Sequence, residues 1–350
     1  MKRELVSMLA GLGLLAGSAA VAQPEDAAEH AHESGSLGVL VMAHGGTEDW
    51  NGEVREMLAP VAEDAPLEIA FGMADAVSLQ EAVDDLEVQG VDRIAVVRLF
   101  VSGESWYERT EQILGIAPGA PNRMAAASEH GAHAAQDEDD GGEGEAAAHG
   151  GHAIPGMRME FWRLDADASF AMSTEGLSEA PEAGAVLAER ALALSTDPQV
   201  ESVLILAHGP EDDAENERWI ENIDARAEAV RQAAPFRQVA VQTLREDWPE
   251  KRAVSEELIR AFVSEASAED GQVIVIPYRV QGFGPYAEVL EGLSYVSDGK
   301  GLLPSAEIEH WVRRQVEELR TAEFRAPLAA EEMRQAHEAS AEHQHAPRID

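Results

Sequence analysis

A duplicated α/β fold, with two mostly parallel sheets and helices on both faces of each, is what the sequence predicts, and three observations carry that prediction. The first is a repeat: Gly38-Val-Leu-Val-Met-Ala-His-Gly45 returns as Ser202-Val-Leu-Ile-Leu-Ala-His-Gly209. The second is the alternation, through both copies, of short β-branched runs with apolar residues at helical spacing. The third is length, since 350 residues exceed one ordinary core and suit two.

In chain order, the apolar run ending at Ala43 reads as a buried parallel strand that enters a loop at His44-Gly45. An acidic loop with an asparagine follows in each copy: Glu48-Asp49-Trp50-Asn51, then Glu211 to Asn216. A helix comes next, marked in the second copy by Ile220, Ile223, Ala227 and Val230. Leu67-Glu-Ile-Ala-Phe71 and Val239-Ala-Val-Gln-Thr-Leu244 read as second strands. Leu79, Val83 and Leu86, and then Val254, Leu258 and Phe262, mark the expected apolar faces of second helices. The later strands, Ile94 to Val101 and Val273 to Val280, each run into a glycine turn with a tyrosine: Gly103-Glu-Ser-Trp-Tyr107 and Gly282-Phe-Gly-Pro-Tyr286.

Composition excludes whole classes of function. The chain has no cysteine, so disulfide frameworks, thiolate metal sites and Cys nucleophiles are out together. Asp and Glu number 66 against 26 Lys and Arg, a formal charge of −40 that repels nucleic acid and anionic lipid and attracts cations. Neither His44-Gly-Gly-Thr47 nor His208-Gly-Pro-Glu211 has the pattern of a phosphate-cradling glycine loop, which argues against a nucleotide site.

The N-terminus reads as a secretory signal peptide over residues 1–22: Lys2 and Arg3, an apolar run from Leu9 to Val21, and the cleavage pattern Ala20-Val21-Ala22. The expectation is an exported, plausibly periplasmic protein without a membrane anchor after cleavage. Residues 23–36 are expected as an unfolded leader, 37–117 as the first domain and 118–156 as an unfolded acidic, His-rich insertion. Residues 157–200 would complete or link the lobes, 201–320 form the second domain, and 321–350 an unfolded tail. Nine of the 12 histidines fall in the unfolded tracts, whose composition also suits loose capture of divalent ions. His310, on a terminal amphipathic helix, reads as a surface residue.

Ligands of parallel α/β sheets bind beyond the carboxyl ends of the strands, where His44 and His208 both fall. An imidazole there is placed to hold a metal or move a proton, or alternatively to bond to its own loop. Glu48, Asp49, Glu211 and Asp212 stand nearby in sequence.

The His-Gly after the first strand, the later strand ending in a glycine loop, and the duplication resemble the class II tetrapyrrole chelatases, nearest the sirohydrochlorin cobaltochelatase (CbiX-like) family, over most of Leu37 to Trp311. The resemblance implies two tandem chelatase-like domains of flavodoxin- or Rossmann-like type. It implies insertion of a divalent ion, Co2+ or Fe2+, into sirohydrochlorin or a similar tetrapyrrole, with no organic cofactor. His44 and His208 would accept pyrrole protons and hold the ion. The family's second histidine, two residues after the later glycine, is replaced here by Ser105 and Gly284. Three alternatives stay open: His44 and His208 cooperate across the cleft, Glu104 substitutes as a ligand, or insertion has been lost and metal or tetrapyrrole binding retained. For a polycarboxylate substrate Arg98 and Arg279, with Arg109 and Arg245, are candidate guanidinium partners. Tyr107 and Tyr286, with Trp106 and Phe283, are candidates to stack on a macrocycle.

Overall fold

The computed structural model describes residues 35–124, 159–268, 271–329 and 332. The expected signal peptide, most of the leader, most of the acidic His-rich tract and most of the tail lie outside the described residues. The first lobe holds β1 (Leu37–Ala43), α1 (Glu48–Ala62), β2 (Leu67–Phe71), α2 (Ala76–Val88), β3 (Arg93–Leu99), α3 (Tyr107–Ile113) and β4 (Ser169–Met172). After α4 (Pro181–Leu194) the second lobe follows as β5 (Glu201–Ala207), α5 (Asp213–Ala233), β6 (Gln238–Thr243), α6 (Pro249–Ala266), β7 (Gln272–Tyr278) and the short α7 (Tyr286–Val289). The last helix is α8 (Ala306–Arg320). The sheets run β2-β1-β3-β4 and β6-β5-β7, and every pairing within them is parallel. No helix among the described residues is long and apolar enough to cross a membrane.

The repeated runs form β1 and β5, the strands between two neighbours in each sheet. β5 is buried at every position and β1 from Gly38 onward, as expected of parallel strands covered on both faces. Their side chains alternate between two cores. Leu40 and Met42 face Leu79, Val83 and Leu86 of α2, while Leu204 and Leu206 face Ile259 and Val263 of α6. Val39 and Val41 join Val203 and Ile205 in a single core shared by the lobes, filled by Leu187 of α4 and Trp311 of α8.

Two helices exchange sides. α4 leaves the first sheet and packs on α5 and β7 of the second lobe. α8 returns from the second lobe to pack on α1 and β3 of the first. Its Arg313 donates to the Pro60 carbonyl at 2.7 Å and pairs with Asp64, and its Arg314 forks onto Glu175 and Glu182 at 2.7–2.9 Å. Past α8, Arg325 exchanges backbone hydrogen bonds of 2.9 Å with Phe170, covering the free edge of β4.

One sequence expectation fails at α6. Val254 and Leu258 are 60 % and 61 % exposed, and the buried face is Ile259, Val263 and Ala266. The helix carries apolar residues on two stripes, so period alone identified a helix but not which stripe the sheet would cover.

Candidate functional site

The two His-Gly pairs end their strands with the same local geometry. Gly45 and Gly209 both sit at φ +78°, where a side chain is disfavoured, and the sharp turn brings each histidine Nδ1 onto the next carbonyl. His44 Nδ1 lies 3.1 Å from Gly45 O, and His208 Nδ1 lies 2.7 Å from Gly209 O. A carbonyl only accepts, so Nδ1 carries the proton in both rings. The expected acidic loops are instead mostly the first turns of α1 and α5, and the asparagines of those turns brace the strand ends. Asn51 Oδ1 accepts from the Gly46 amide at 2.9 Å, and Asn216 Oδ1 accepts from the Thr243 hydroxyl at 2.8 Å.

Beyond that anchor the copies diverge. His208 Nε2 is 2.9 Å from Asp247 Oδ2 and 3.3 Å from Glu246 Oε1, and its ring meets Trp248 edge-on at 5.9 Å. A carboxylate acceptor on Nε2 and a carbonyl on Nδ1 together require both nitrogens protonated, so His208 is an imidazolium. Burial pulls its pKa down, but the Asp247 hydrogen bond and the charges of Glu246 and Asp247 outweigh burial and leave it raised. Glu246, itself buried, also takes a 2.6 Å hydrogen bond from Arg279. The second-lobe strand end is thus a cluster of His208, Arg279, Glu246 and Asp247, balanced in sign.

In the first lobe the position beside His44 is taken by Gly72 and Met73, where β2 ends. The Gly72 amide extends the β1 pairing to Ala43 O at 2.9 Å, as Leu244 does to Ala207 in the second lobe; in that register Ala74 stands for Glu246 and Asp75 for Asp247, but the Asp75 carboxylate caps α2, accepting from the amides of Ser78 (3.0 Å) and Glu160 (2.8 Å). His44, with Nδ1 on Gly45 O, has no described partner on Nε2. The two histidines are therefore chemically different: one is a base or ligand, the other a cation.

The described partners of each ring belong to its own lobe, and among the described residues no three His, Asp or Glu side chains are disposed to hold a metal ion. His208 can receive a metal only by losing its proton and the Asp247 bond. Glu104 is exposed in the loop after β3, where its amide donates to Ser102 Oγ at 3.1 Å. Glu48, Asp49, Glu211 and Asp212 are exposed as well; Glu48 pairs with Arg55 at 3.2 Å and Asp212 caps α5.

The arginines and tyrosines support the loops from inside. Arg98 is 1 % exposed; its Nε donates to Ser173 O at 3.0 Å and its terminal nitrogens to the carbonyls of Ser105 (2.7 Å) and Gly103. Burial draws its pKa down to about 10 against the opposing charges of Tyr107 and Glu111. Its guanidinium lies 4.5 Å from the Tyr107 ring centre, and Arg279 lies 5.8 Å from that of Tyr286, which is wholly buried. Arg98 and Tyr286 therefore have no face for a ligand, and Arg279 and Tyr107 are engaged with them as packing partners. Arg109 donates to the carbonyls of Ala74, Met159 and Glu160, and Arg245 to Glu211 O and Asp213.

The packing also explains the two positions that lack a second histidine. Gly284 stands at φ +59°, where a side chain is strained, and a Cβ there would lie 2.8 Å from the Arg279 guanidinium carbon, so a histidine would have to displace that guanidinium. Ser105 turns its carbonyl to Arg98, and the neighbouring Gly103 rests against the Thr174–Gly176 backbone.

Residues 38–133, which include His44 and the whole of β1 to α3 but Leu37, match the family model CbiX. Over those residues the chain is similar to that family. Among solved structures, SirB from Bacillus subtilis with Fe3+ aligns at a TM-score of 0.51 and 12 % identity, covering 82 % of this chain and 96 % of that one. A multi-domain protein from Deinococcus radiodurans with structural similarity to chelatases aligns at 0.48 and 16 % identity, over 89 % of this chain and 60 % of that one. At such identities the first likeness speaks to fold, and the fold is the α/β chelatase type with parallel sheets. No curated protein matches the chain in sequence.

Glu246 and Asp247 are the functional residues that sequence reading missed. The signal was available: they follow the end of β6, and β6 is the neighbour of β5 in the sheet, so their loop opens beside His208.

Proposed function

We propose that the chain is a sirohydrochlorin chelatase-like enzyme that inserts a divalent ion, Co2+ or Fe2+, into a tetrapyrrole, with the chemistry in the CbiX-like first lobe. The observation that carries this reading is His44: a strand-end imidazole whose Nδ1 lies on Gly45 O, leaving Nε2 without a partner among the described residues. Inserting a divalent ion displaces two pyrrole protons: the one lone pair of His44 Nε2 holds the arriving ion weakly and, once the ion has passed to the ring, accepts one of those protons, the other going to water. His208, already charged and bonded to Asp247, takes no part in proton acceptance; its cluster fixes the second-lobe loops. Export belongs to the same proposal, supported by Lys2, Arg3 and the run to Ala22, with mature protein starting at Gln23.

The test is anaerobic mixing of the protein with sirohydrochlorin and Co2+ or Fe2+, followed by absorbance. Wild type accelerates insertion over the protein-free rate, and His44→Ala loses that acceleration. An unaccelerated wild type overturns catalysis, and one that binds both reactants without insertion makes the chain a binding protein on the same fold. The missing second histidines, Ser105 and Gly284, favour that second reading.

A further inference from the structure

A polycarboxylate tetrapyrrole needs cations, and the strand-end arginines are spent inside the protein. The described residues offer cations elsewhere. Between the lobes lies a cavity of about 520 Å³, walled by Trp50 and Glu53 of α1, Glu189 and Arg190 of α4, and Gln281 and Lys300 of the loops after β7. Neither His44 nor His208 lines it, yet it adjoins the first site. Gly46, two residues beyond His44, packs directly on the Gln281 side-chain amide, and Trp50 opens the helix that the same loop leads into.

The charges of this cavity are unevenly held. Arg190 is pinned by Asp298 at 3.1 Å, while exposed Lys300 has no acidic partner among the described residues, in a chain with 66 acids. The Nε–H of Arg190 and the indole N–H of Trp50 are buried in the wall without a partner among the described residues, both of them donors that an oxygen would satisfy. Glu53 and Glu189 occupy the helix wall and repel a carboxylate there, so an anionic group has one favourable side, the Lys300 loop. The volume fits one edge of a macrocycle, or a small molecule, within the ordinary range of ligand pockets.

We infer that this cavity anchors a carboxylate side chain of the bound tetrapyrrole, with Lys300 as the receiving cation and Arg190 behind it, so that the ring edge is presented to His44. The inference rests on the chelatase reading. Its probe is uroporphyrin, a metal-free porphyrin octacarboxylate, titrated into wild type, Lys300→Glu and Lys300→Arg with the Soret band as signal. Lys300→Glu weakens uroporphyrin about tenfold or more, because a like charge then faces the carboxylate, and Lys300→Arg stays within about twofold of wild type. Co2+ affinity without porphyrin is unchanged in both variants. Equal uroporphyrin affinity in wild type and Lys300→Glu, or no binding to wild type, overturns the pocket. The two readings fail separately. Insertion into sirohydrochlorin with an unchanged KM in Lys300→Glu removes the pocket and leaves the chelatase. Lys300-dependent uroporphyrin binding without any insertion removes the chelatase and leaves the pocket.

Discussion

Two histidines that look interchangeable in the sequence do different things because of what stands one strand away. At His208 the neighbouring loop supplies Glu246 and Asp247, and the imidazolium they stabilise has a pKa above its ordinary value. Such a group contributes stability that is complete below its unfolded pKa, about 6.5, and that is lost as pH rises through the higher folded value. His208→Gln is therefore expected to lower unfolding free energy by about 1.5–3 kcal/mol at pH 6, the range for a charged hydrogen bond, with a smaller deficit at pH 9. Denaturant melts at both pH values check it, and an equal deficit at the two contradicts the imidazolium. At His44 no acid is bonded in the described structure, and removal acts on chemistry instead. His44→Ala is expected to lower the rate of insertion by about 10²-fold or more, the scale of a lost general base, while leaving thermal stability nearly unchanged. Of the candidates legible in the sequence, the histidines are at strand ends as read. Arg98 and Tyr286 are buried rather than open to a ligand, because polarity and strand-end position do not reveal whether a side chain turns outward or back under its own loop.

Among elements, α6 separates what period can and cannot say. The strands and most helices were readable because each buries one unmistakable stripe: Leu79, Val83 and Leu86 of α2 are all fully buried. In α6 the alternative stripe won, Ile259 and Val263 inside with Val254 and Leu258 outside. Ile259→Ala is expected to cost about 2–5 kcal/mol, whereas Leu258→Ala stays within about 0.5 kcal/mol; urea denaturation of the pair distinguishes the stripes, and reversed effects contradict the packing. The repeat itself is legible at β1 and β5, since six and seven buried positions in a row leave little freedom of composition.

At the scale of the whole molecule, the lobes are tied by exchanged helices and one shared core, which no local pattern announces. The sequence marks α8 as amphipathic, but only the fold shows that its apolar side, with Trp311 fully buried, completes the first lobe rather than the second. Trp311→Ala is expected to cost about 3–5 kcal/mol, and hydrogen exchange should show protection lost first in β1 and β3; loss confined to β5 and β7 would place the helix wrongly. The lobes divide the labour, with an unengaged His44 Nε2 in the first and a locked His208 cation in the second. The most direct measurement is ¹⁵N NMR of the imidazole nitrogens, with His44→Ala and His208→Ala for assignment and Zn2+ as a diamagnetic probe. His44 is expected to shift at Nε2 on adding Zn2+, with Nδ1 keeping its proton on Gly45 O, while His208 stays doubly protonated and unmoved. A bare Nε2 on His208 that takes the metal, with His44 unaffected, would contradict this division.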